Sequence, residues 1–501
     1  MHKEEERKDQ AQYILMLKEA MNRSKTIYIT FLDVTKAYDK AWADALLYVI
    51  NKKGLKNKLW MIVKKLNEDL KANIKTKYGH TRKIKITDSI RQGGVLSVLL
   101  YASMMDEIAV EIQKQKLGVS INDSQKLGCL LWMDDVALIA KDPEEMQIML
   151  NITEDIANRY HVEFGKEKSK IIKIEKEKTD RQFKLGSMEI EECEKYKYLG
   201  MIVNNKNNLK GHIEEIKKKT EAAYQTIMRV AGNAEFEEIE MEVIWQLVEN
   251  CIIPNITYGL EGCIITKGEM KILNSILDTI LKRILKLPVT TPREPLYYET
   301  GIMDIEHTIM KNAINYVNRL DKKENKLLKE MQSAEHNRSW RKKIQKEMES
   351  LGITNTKSKE EIRKKIKEQM ITKLAKEGEK KSKTQYYLQN SQEPQNLKIR
   401  KYMKTINRHT TSTIIIARTR MIEAKANYKG KYQNLNCRFC ENTEETQTHI
   451  LEECQKIDRT IYPIVKRTDI FSEHQMTLIQ TAQDIHRIRS LLKETSTAPS
   501  E

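Results

Sequence analysis

The chain has 501 residues, of which 40% are hydrophobic and 32% charged, so it has room for roughly three or four domains and a sizeable buried core. Its net charge of +17 predicts a polyanionic partner, either nucleic acid or an acidic membrane surface, with a merely solvated basic surface as the alternative. No apolar run approaches the ~18 residues of a membrane-spanning helix, and no hydrophobic segment follows the charged N-terminus. We therefore expect neither a membrane span nor a secretory signal.

The first predicted elements are a helix, a buried strand and a second helix. Residues 8–24 carry apolar side chains at helical spacing. The next segment, Ile27–Leu32, is typical of a buried strand, and this strand is expected to end at Asp33. A helix is then predicted from about Thr35 to Asn51, stopped by Gly54.

From residue 71 onward the pattern alternates short strands with helices and then becomes almost entirely helical. The predicted elements are a hairpin of 71–77 with 81–87, an apolar helix from Gly94 to about Gln113, a strand-turn-strand unit over Leu127–Ala140, a helix over 143–160, further strands to Val203 and helices from His212 to Leu320. The segment 338–383 is dense in Lys and Arg with little periodic core. It is predicted to be a basic helical arm.

Three features recur in an order that indicates phosphoryl transfer. An apolar strand ends at Asp33 with Tyr38 five residues later, Arg91-Gln92-Gly93 precedes a helix, and a hairpin carries Asp134-Asp135. Carboxylates at a strand end and at an adjacent hairpin turn converge on one point, and Mg²⁺ prefers such oxygen ligands. Each feature alone has a plainer interpretation. An Asp pair is usually a polar turn, and Asp33 is also a candidate N-cap of the next helix.

These segments resemble the motifs of reverse transcriptases from LINE-type (non-LTR) retrotransposons. The matching segments are Phe31–Asp39, Arg91–Leu100, Trp132–Asp135, Phe164–Lys170 and Tyr196–Gly200. In that order they are similar to the family's first palm carboxylate motif, its glutamine-glycine segment, its aromatic-x-Asp-Asp hairpin, its next motif ending in a basic residue and its primer-gripping hairpin. The resemblance runs from about residue 26 to 205, with a weaker helical likeness to about 320.

The resemblance implies a metal site. Asp33, Asp134 and Asp135 would hold Mg²⁺ or Mn²⁺, with Asp135 the least direct ligand. Lys168 would lie near the leaving pyrophosphate as a candidate general acid, and a solvated surface lysine is the alternative. The implied partners are an RNA template, a DNA primer or target DNA, and dNTPs.

The resemblance also implies a nucleotide pocket. Tyr38 would lie under the sugar of the incoming nucleotide and exclude a 2′-hydroxyl, while Gln92 and Gly93 would line the nucleotide and template pocket. The sequence departs from the family pattern at two positions of this region. Val95 and Val98 stand where the family usually has proline. The turn that presents Gln92 is therefore expected to differ from that of the family.

Two further departures concern the hairpin and the N-terminus. Trp132 replaces the usual Tyr or Phe before the Asp pair. Few residues precede Asp33, whereas the family has a longer fingers region there, with basic residues that grip the triphosphate and template. We therefore expect an N-terminally truncated copy that retains the carboxylates. No endonuclease domain is recognisable in the sequence.

A cysteine cluster near the C-terminus predicts a metal site of another kind. Cys437-x₂-Cys440-x₈-His449-x₄-Cys454 has the ligand types and spacing of a four-coordinate structural Zn²⁺ site, with incidental cysteines as the alternative. LINE-type proteins carry a similar element after the polymerase. Nearby cations and aromatic residues, including Arg438, are expected to add a basic, stacking surface. This module and the 338–383 arm together are expected to bind the element's RNA or target DNA. The cations of this expected surface also include Arg418, Arg420, Lys425, Lys429 and Lys431.

We expect an α+β fold with a polymerase palm (an antiparallel sheet with packed helices), a helical thumb, a basic helical linker and a small C-terminal zinc module. The expected domains are a remnant of the fingers region (1–25), the reverse transcriptase palm (26–205), the helical thumb (206–330), the basic helical linker (331–410), the Cys-Cys-His-Cys zinc module (411–465) and a C-terminal helix and tail (466–501).

The predicted function is RNA-directed DNA polymerisation, in which two-metal nucleotidyl transfer extends a DNA 3′ end on an RNA template. The alternative is a catalytically inactive or repurposed nucleic-acid-binding protein derived from such an enzyme. An intracellular location is expected, with the nucleus as the site of DNA synthesis at a target.

Overall fold

The structure is a computed structural model that describes residues 2–68, 71–85, 90, 94–122, 125–175, 180–230, 241–322, 340–353, 358–391, 397–428 and 430–495. The chain divides into two compact units. Unit 1 consists of Met1–His212, Gly262–Ile264 and Arg319–Gln345, and unit 2 consists of Ile213–Glu261, Ile265–Asn318 and Lys346–Glu501. Among the described residues, no helix is both long enough and apolar enough to cross a membrane.

A six-stranded sheet forms the centre of unit 1. Its strands in spatial order are β11 (Phe183–Leu185), β12 (Met188–Glu192), β10 (Lys170–Ile174), β1 (Ile27–Asp33), β9 (Asp135–Ala140) and β8 (Cys129–Trp132). The pairing is antiparallel except between β10 and β12. Strand β1 lies in the middle, and Tyr28, Ile29, Phe31 and Leu32 are each at most 2% exposed. Both of its faces are therefore covered, which explains its continuous apolar run.

Helices alternate with these strands along the first half of the chain. They are α1 (His2–Arg23), α2 (Ala43–Lys52), α3 (Asn57–Asn67), α4 (Val95–Lys114) and α5 (Pro143–Tyr160). Helix α5 has clear end signals, since the Asp142 side chain accepts a hydrogen bond from the Glu145 amide and His161 ends the helix in the left-handed conformation. These signals explain why its predicted bounds are confirmed.

The predicted helix from Thr35 is wrong in its start. Helix α2 begins only at Ala43, because residues 36–40 form a turn in which the Asp39 and Lys40 amides both donate to the Lys36 carbonyl. The Thr35 amide donates to the carbonyl of Glu163, 2.8 Å away, and this long-range bond draws the chain out of a helical path. The N-cap interpretation of Asp33 is therefore also wrong.

The predicted hairpin around Gly79 is confirmed as two short nested ladders. Strand β2 (Lys71–Ala72) pairs with β5 (Ile84–Lys85), and inside them β3 (Lys75–Thr76) pairs with β4 (Gly79–His80). Other small ladders of this unit join β6 (Val119–Ser120) to β7 (Lys126–Leu127) and β13 (Lys195–Tyr198) to β14 (Met201–Asn204).

The second half of the chain is helical, as predicted. Its described helices are α6 (Lys210–Val230), α7 (Met241–Leu247), α8 (Ile253–Thr257), α9 (Lys267–Ile284), α10 (Arg293–Thr300), α11 (Ile305–Lys322), α12 (Trp340–Ser350), α13 (Lys359–Gly378), α14 (Ser382–Asn390), α15 (Tyr402–Thr405), α16 (Arg408–Arg418), α17 (Arg467–Ile470) and α18 (Gln475–Glu494). They are accompanied by the π-helical turns Val248–Ile252 and His449–Glu453 and by the 3₁₀ turns Leu260–Gly262 and Lys425–Tyr428.

The lysine-rich segment 338–383 has more core than its composition indicated. Helix α13 buries Ile362, Ile366, Met370 and Leu374, one residue in each turn, and a capping box formed by Ser358 closes its N-terminus. The expectation of little periodic core is therefore wrong. These apolar residues are spaced four apart among many charged ones, so a single narrow stripe was hidden by the composition.

Candidate active site and metal centre

The pairing of β1 with β9 brings the predicted palm carboxylates together. Asp33, the last residue of β1, lies opposite Asp135, the first residue of β9. Asp135 also lies opposite Trp132 across the β8–β9 hairpin, so the two turn residues are Met133 and Asp134. Met133 adopts a φ of 54°, which allows the tight turn. The three carboxylates therefore lie at adjacent strand ends on the central part of the sheet.

The electrostatics of Asp135 reflect this crowding of acidic groups. Burial, followed by the neighbouring carboxylates of Asp134 and Asp33, raises the pKa of Asp135 to about 6, while Lys168 opposes the shift. Like charges this close disfavour ionisation unless a cation lies among them. The donor set consists of hard carboxylate oxygens with excess negative charge, which fits divalent cations such as Mg²⁺ or Mn²⁺.

Lys168 is positioned at this site by the loop that precedes β10. Its Nζ lies 3.3 Å from Oδ2 of Asp33, although its side chain is 72% exposed. The Gly165 amide donates to the Asp33 carbonyl at 2.9 Å, which fixes the loop against the end of β1. A Cβ at Gly165 would lie 3.3 Å from Oγ1 of Thr35, so this close approach favours glycine.

An open cleft of about 580 Å³ adjoins the carboxylates. Its walls include Asp33, Tyr38, Asp134 and Lys168. Tyr38 is half-buried, and its ring centroid lies 5.6 Å from that of Tyr101. Burial, and then the charge of Asp134, raises the pKa of the Tyr38 hydroxyl. The structure thus places Tyr38 in the same cleft as two predicted metal ligands.

The predicted residues Gln92 and Gly93 lie outside the described residues. The described positions on either side are Ile90, whose amide donates to the Tyr38 carbonyl at 3.0 Å, and Gly94, which precedes α4. Ile90 therefore lies beside Tyr38, and the roles of Gln92 and Gly93 stay predictions.

Aromatic contacts that the sequence motifs did not indicate lie next to the carboxylates. The ring of Phe31 stacks on Tyr196 with centroids 4.3 Å apart and planes within 3°. Burial, then the charges of Asp135 and Asp33, raises the pKa of Tyr196 to about 12. The sequence did contain a signal for this contact. Phe31 and Asp33 are two residues apart on β1 and so share a face of the sheet, which places the Phe31 ring near the carboxylate.

Helix α1 supplies a second aromatic contact to the hairpin. The ring of Tyr13 meets that of Trp132 edge to face, with centroids 5.2 Å apart. The large indole that departs from the family pattern is therefore packed against the N-terminal helix. No sequence signal pointed to this pair, because it depends on how α1 packs against the sheet.

The four predicted zinc ligands also come together. Their ligand atoms all lie within 4.8 Å of one another. Sγ of Cys437 is 3.8 Å from Sγ of Cys454, and Sγ of Cys440 is 3.3 Å from Nε2 of His449. Three sulfurs and one imidazole in so small a volume match the donor set of a closed tetrahedral zinc site.

Short backbone hydrogen bonds shape the loop that carries two of these ligands. The Cys437 amide donates to the Thr443 carbonyl at 2.7 Å, and the Glu441 amide donates to the Cys437 carbonyl at 2.8 Å. Hydrogen bonds from the Asn442 backbone and then from Thr443 lower the pKa of the Cys440 thiol. A thiolate is the form that binds metal, so the loop favours the ligand state at Cys440.

Arg438, expected on a nucleic-acid-facing surface, instead points into the protein. Its guanidinium pairs with Glu445 at 2.7 Å, donates to the Leu492 carbonyl at 2.5 Å and contacts the Thr495 hydroxyl at 3.3 Å. The Glu445 side chain is fully buried. Arg438 therefore ties the metal loop to α18, and the expectation of a surface role is wrong.

Two other expected surface cations are also used internally. Arg418 is 2% exposed and pairs with the buried Glu299 at 2.9 Å. The guanidinium of Arg420 lies over the ring of Tyr386, 3.8 Å from its centroid. These partners lie far away in sequence, so the local basic pattern could not reveal them. Lys429, another cation of the expected surface, lies outside the described residues.

The comparison with protein families agrees with the geometry of unit 1. The model described as "Reverse transcriptase (RNA-dependent DNA polymerase)" matches residues 2–203. The match contains β1, the β8–β9 hairpin and the Lys168 loop, and the α+β fold with a reverse transcriptase palm is thereby confirmed.

Sequence relatives come from non-LTR retrotransposons. The chain is 27% identical over 223 residues to the Pol polyprotein of the type-1 retrotransposable element R2 of Nasonia vitripennis, covering 40% of this chain and 21% of that protein. It is 21% identical over 314 residues to an R2 polyprotein of Popillia japonica, covering 59% and 42%. A polymerase from the mobile element jockey of Drosophila melanogaster is 21% identical over 327 residues, covering 63% and 34%.

The chain thus spans less than half the length of each of these relatives. Because these relatives are proteins of non-LTR elements, the predicted resemblance to non-LTR reverse transcriptases is confirmed. Among solved structures, telomerase of Candida albicans in complex with a fragment of telomeric RNA is 12% identical with a TM-score of 0.33, covering 56% of this chain and 50% of that chain. Apo telomerase of Candida tropicalis is 14% identical with a TM-score of 0.32, covering 64% and 56%. These scores are too low to define the fold further.

Proposed function

We propose that the chain is an RNA-directed DNA polymerase of a non-LTR retrotransposon that extends a DNA 3′ end on an RNA template. The observation that carries the proposal is the pairing of Asp33 with Asp135 beside Asp134, inside a reverse transcriptase domain. This arrangement concentrates carboxylate oxygens at one edge of an open cleft. The cleft is bordered by an aromatic ring and by a lysine, a cation that can stabilise charge developing on the phosphates.

In this proposal the chain's own side chains position the reactants. Asp33, Asp134 and Asp135 would hold two divalent cations, Mg²⁺ or Mn²⁺, and these would supply Lewis-acid stabilisation of the attacking hydroxyl and the transferring phosphate. Lys168 moves from Asp33 towards the pyrophosphate as negative charge develops there, and donates a proton or a charge-assisted hydrogen bond. Tyr38 lies under the sugar and excludes a 2′-hydroxyl.

The proposed partners are an RNA template, a DNA primer or target DNA, and dNTPs. The net charge of +17 supports a polyanionic partner, and nuclear DNA synthesis at a target site is the setting we propose. The whole polyprotein of the relatives contains more than this chain. The proposal therefore concerns polymerisation and not the cutting of target DNA.

We further propose that Cys437, Cys440, His449 and Cys454 bind one structural Zn²⁺. The fit of four ligand atoms within 4.8 Å of one another supports this, and a closed set of four ligands leaves no position for catalysis. Bound Zn²⁺ would supply folding free energy to the loops that carry its ligands. His449 is also 3.6 Å from Glu453, which can orient the imidazole as a ligand.

Primer extension tests the polymerase proposal. Purified protein is given an RNA template, an annealed DNA primer, dNTPs and Mg²⁺, and extension is compared with that of Asp134→Ala. Asp155→Asn, on the exposed side of α5, removes an equal charge from the same unit as a control. Extension that is abolished by Asp134→Ala and kept by Asp155→Asn supports the proposal. RNA binding without extension would replace it with the alternative of an inactive nucleic-acid-binding protein.

A further inference from the structure

Tyr101 is a buried tyrosine on α4 to which neither the sequence motifs nor the polymerase proposal gives a role. It is 1% exposed and belongs to the apolar core of unit 1. Among the described residues, its hydroxyl has no hydrogen-bond partner. Burying such a hydroxyl costs stability, and phenylalanine would fill the same space without that cost. Within the described part of the chain, packing of the ring therefore holds Tyr101 in place.

The ring of Tyr101 packs against the side chain that borders the nucleotide cleft. The centroids of the Tyr38 and Tyr101 rings are 5.6 Å apart and their planes are inclined by 32°. This geometry lies within the range in which aromatic rings attract each other. The backbone of Tyr38 is held separately, because its carbonyl accepts from the Ile90 amide at 3.0 Å. The ring contact therefore bears on the angle at which the Tyr38 side chain faces the cleft.

A small cavity lies behind the segment that carries Tyr38. Its volume is about 10 Å³, and Tyr101 forms part of its lining. Val34, Thr35 and Ala37 line both this cavity and the cleft at the carboxylates, so the segment is a wall shared by the two. A shorter side chain in place of Tyr101 would enlarge the cavity and give the wall room to move away from the nucleotide.

Both phenols lie within the field of the same carboxylate. Burial, and then the charge of Asp134, raises the pKa of Tyr101 and the pKa of Tyr38. Both hydroxyls therefore stay protonated at neutral pH, and neither ring carries a charge that would repel a triphosphate. The pair acts through its shape and its neutral contacts.

We propose that Tyr101 is a positioning residue for sugar selection, whose ring holds the Tyr38 ring at the angle that excludes a 2′-hydroxyl. The inference rests on the proposed polymerase function and deepens it, because it assigns the discrimination to two rings and not to Tyr38 alone. At 1% exposure Tyr101 does not reach the nucleotide itself, so it acts through Tyr38. A displacement of about 1 Å in a residue that orients a substrate is enough to change the outcome of a reaction.

Competition between rNTP and dNTP on one RNA-templated primer tests this inference. Tyr101→Leu should raise the ratio of ribonucleotide to deoxyribonucleotide incorporation by roughly fivefold, because the Tyr38 ring loses its support. The kcat/KM for ribonucleotides should rise, whereas that for dNTPs should change by less than about threefold. A general loss of structure would lower both values. Tyr101→Met, whose flexible side chain fills irregular space, provides the same test if the leucine variant does not fold.

A double-mutant cycle shows whether Tyr101 acts through Tyr38. In a Tyr38→Val background, Tyr101→Leu should change the ratio by less than about twofold, because the ring that Tyr101 supports is gone. Tyr101→Phe keeps the ring and should keep the wild-type ratio. Its melting temperature should be equal or higher, since an unpartnered hydroxyl is removed.

Phe183→Leu is the matched control for the loss of a buried aromatic ring. Phe183 lies on β11 at the edge of the sheet and is 1% exposed. The substitution removes the same kind of core packing from unit 1 without touching Tyr38, so the ratio of incorporated sugars should not change.

Four results would overturn the inference while primer extension continues. They are a wild-type ratio in both the leucine and methionine variants, an equal rise of the ratio in Phe183→Leu, additive effects in the cycle with Tyr38→Val, and an altered ratio in Tyr101→Phe. The polymerase proposal survives each of them. A wild-type protein that does not extend a primer would instead overturn the polymerase function, and the assignment of sugar selection to Tyr101 with it.

Discussion

The palm carboxylates and the Cys/His centre are assembled in two different ways. Asp33 and Asp135 lie opposite each other on paired strands, so backbone hydrogen bonds of a buried sheet place them. The four Cys/His ligands lie on a short loop, a π-helical turn and the residue that follows it. We expect the sheet to persist without its metal ligands, and we expect the loops to depend on theirs for folding. Substituting ligands should therefore affect activity at one site and folding at the other.

The largest expected effect is on catalysis at the palm. Asp33→Asn should lower primer extension by roughly 10³-fold or more, because the amide cannot replace an anionic metal ligand. Thermal unfolding of this variant should occur at the same temperature or higher. Removing one of three crowded carboxylates relieves the repulsion that, after burial, raises the pKa of Asp135. Extension and melting are measured on the same preparation.

Asp155→Asn provides the matched control for charge, and it should leave both quantities unchanged. A marked fall in melting temperature for Asp33→Asn would contradict the comparison, because it would make the carboxylate part of the folding of the sheet. Extension retained at the original rate would instead remove Asp33 from the catalytic set.

The next effect is structural and concerns the Cys/His centre. Cys454→Ser should lose bound zinc and expose residues 411–465 to proteolysis, since structural Zn²⁺ contributes ~10 kcal/mol or more to small metal-dependent folds. The palm should keep its protection from proteolysis. Zinc content by elemental analysis and limited proteolysis with mass spectrometry measure the two consequences under reducing conditions.

Cys251→Ser removes an exposed thiol and serves as the control, with no change in either measurement. Wild-type protein without zinc, or Cys454→Ser with a full complement of zinc, would show that the four residues are not a zinc site.

A third prediction concerns the ion pair between Arg438 and Glu445, which supports the metal loop without being part of the ligand set. Arg438→Met leaves the buried Glu445 without its cation and should destabilise the metal loop and α18 by about 3 kcal/mol. Adding Glu445→Gln should recover part of this loss, because it removes the buried charge while its amide oxygen can still accept from the Lys425 amide, 2.9 Å away in the wild-type pair. Hydrogen exchange over residues 475–494 reports the effect. Equal exchange in the wild-type and Arg438→Met proteins would show that this contact does not hold the helix.

Local structure could be predicted from the sequence. Strand β1 ends at Asp33 as predicted, because its apolar run is continuous, and α5 has its predicted bounds because Asp142 caps it. The pair Asp134-Asp135 was predicted at a hairpin turn because apolar runs flank it on both sides. Local hydrophobic pattern and turn chemistry therefore accounted for the elements that position the palm site.

The wrong predictions have a common physical origin in long-range contacts. Helix α2 begins late because Thr35 bonds to Glu163, and Arg438 turns inward because Glu445 and Leu492 receive its hydrogen bonds. The contact of Tyr13 with Trp132, which no motif indicated, belongs to the same class. Each of these contacts depends on which elements become neighbours after folding. Neither composition nor periodicity predicts those neighbours.

A smaller catalytic effect is expected at Lys168. Lys168→Met should reduce extension by roughly 10- to 100-fold without lowering the melting temperature, since the side chain is 72% exposed and pairs with Asp33 at the edge of the cleft. Lys166→Met, on the same loop, should have a weaker effect. If Lys168 is a general acid, the alkaline limb of the pH profile should disappear in the variant. An unchanged pH profile would limit Lys168 to an electrostatic role.

The smallest expected effect is on the choice of sugar, and it bears on how rigidly the palm positions its substrate. Tyr38 borders the cleft together with Asp134, and its ring is supported by Tyr101, with centroids 5.6 Å apart. Tyr38→Val should increase incorporation of ribonucleotides relative to deoxyribonucleotides by about tenfold, because a smaller side chain leaves room for a 2′-hydroxyl. Competition between rNTP and dNTP on the same primer measures this ratio. A ratio equal to that of the wild-type protein would mean that the sheet fixes the metal ligands while another residue selects the sugar.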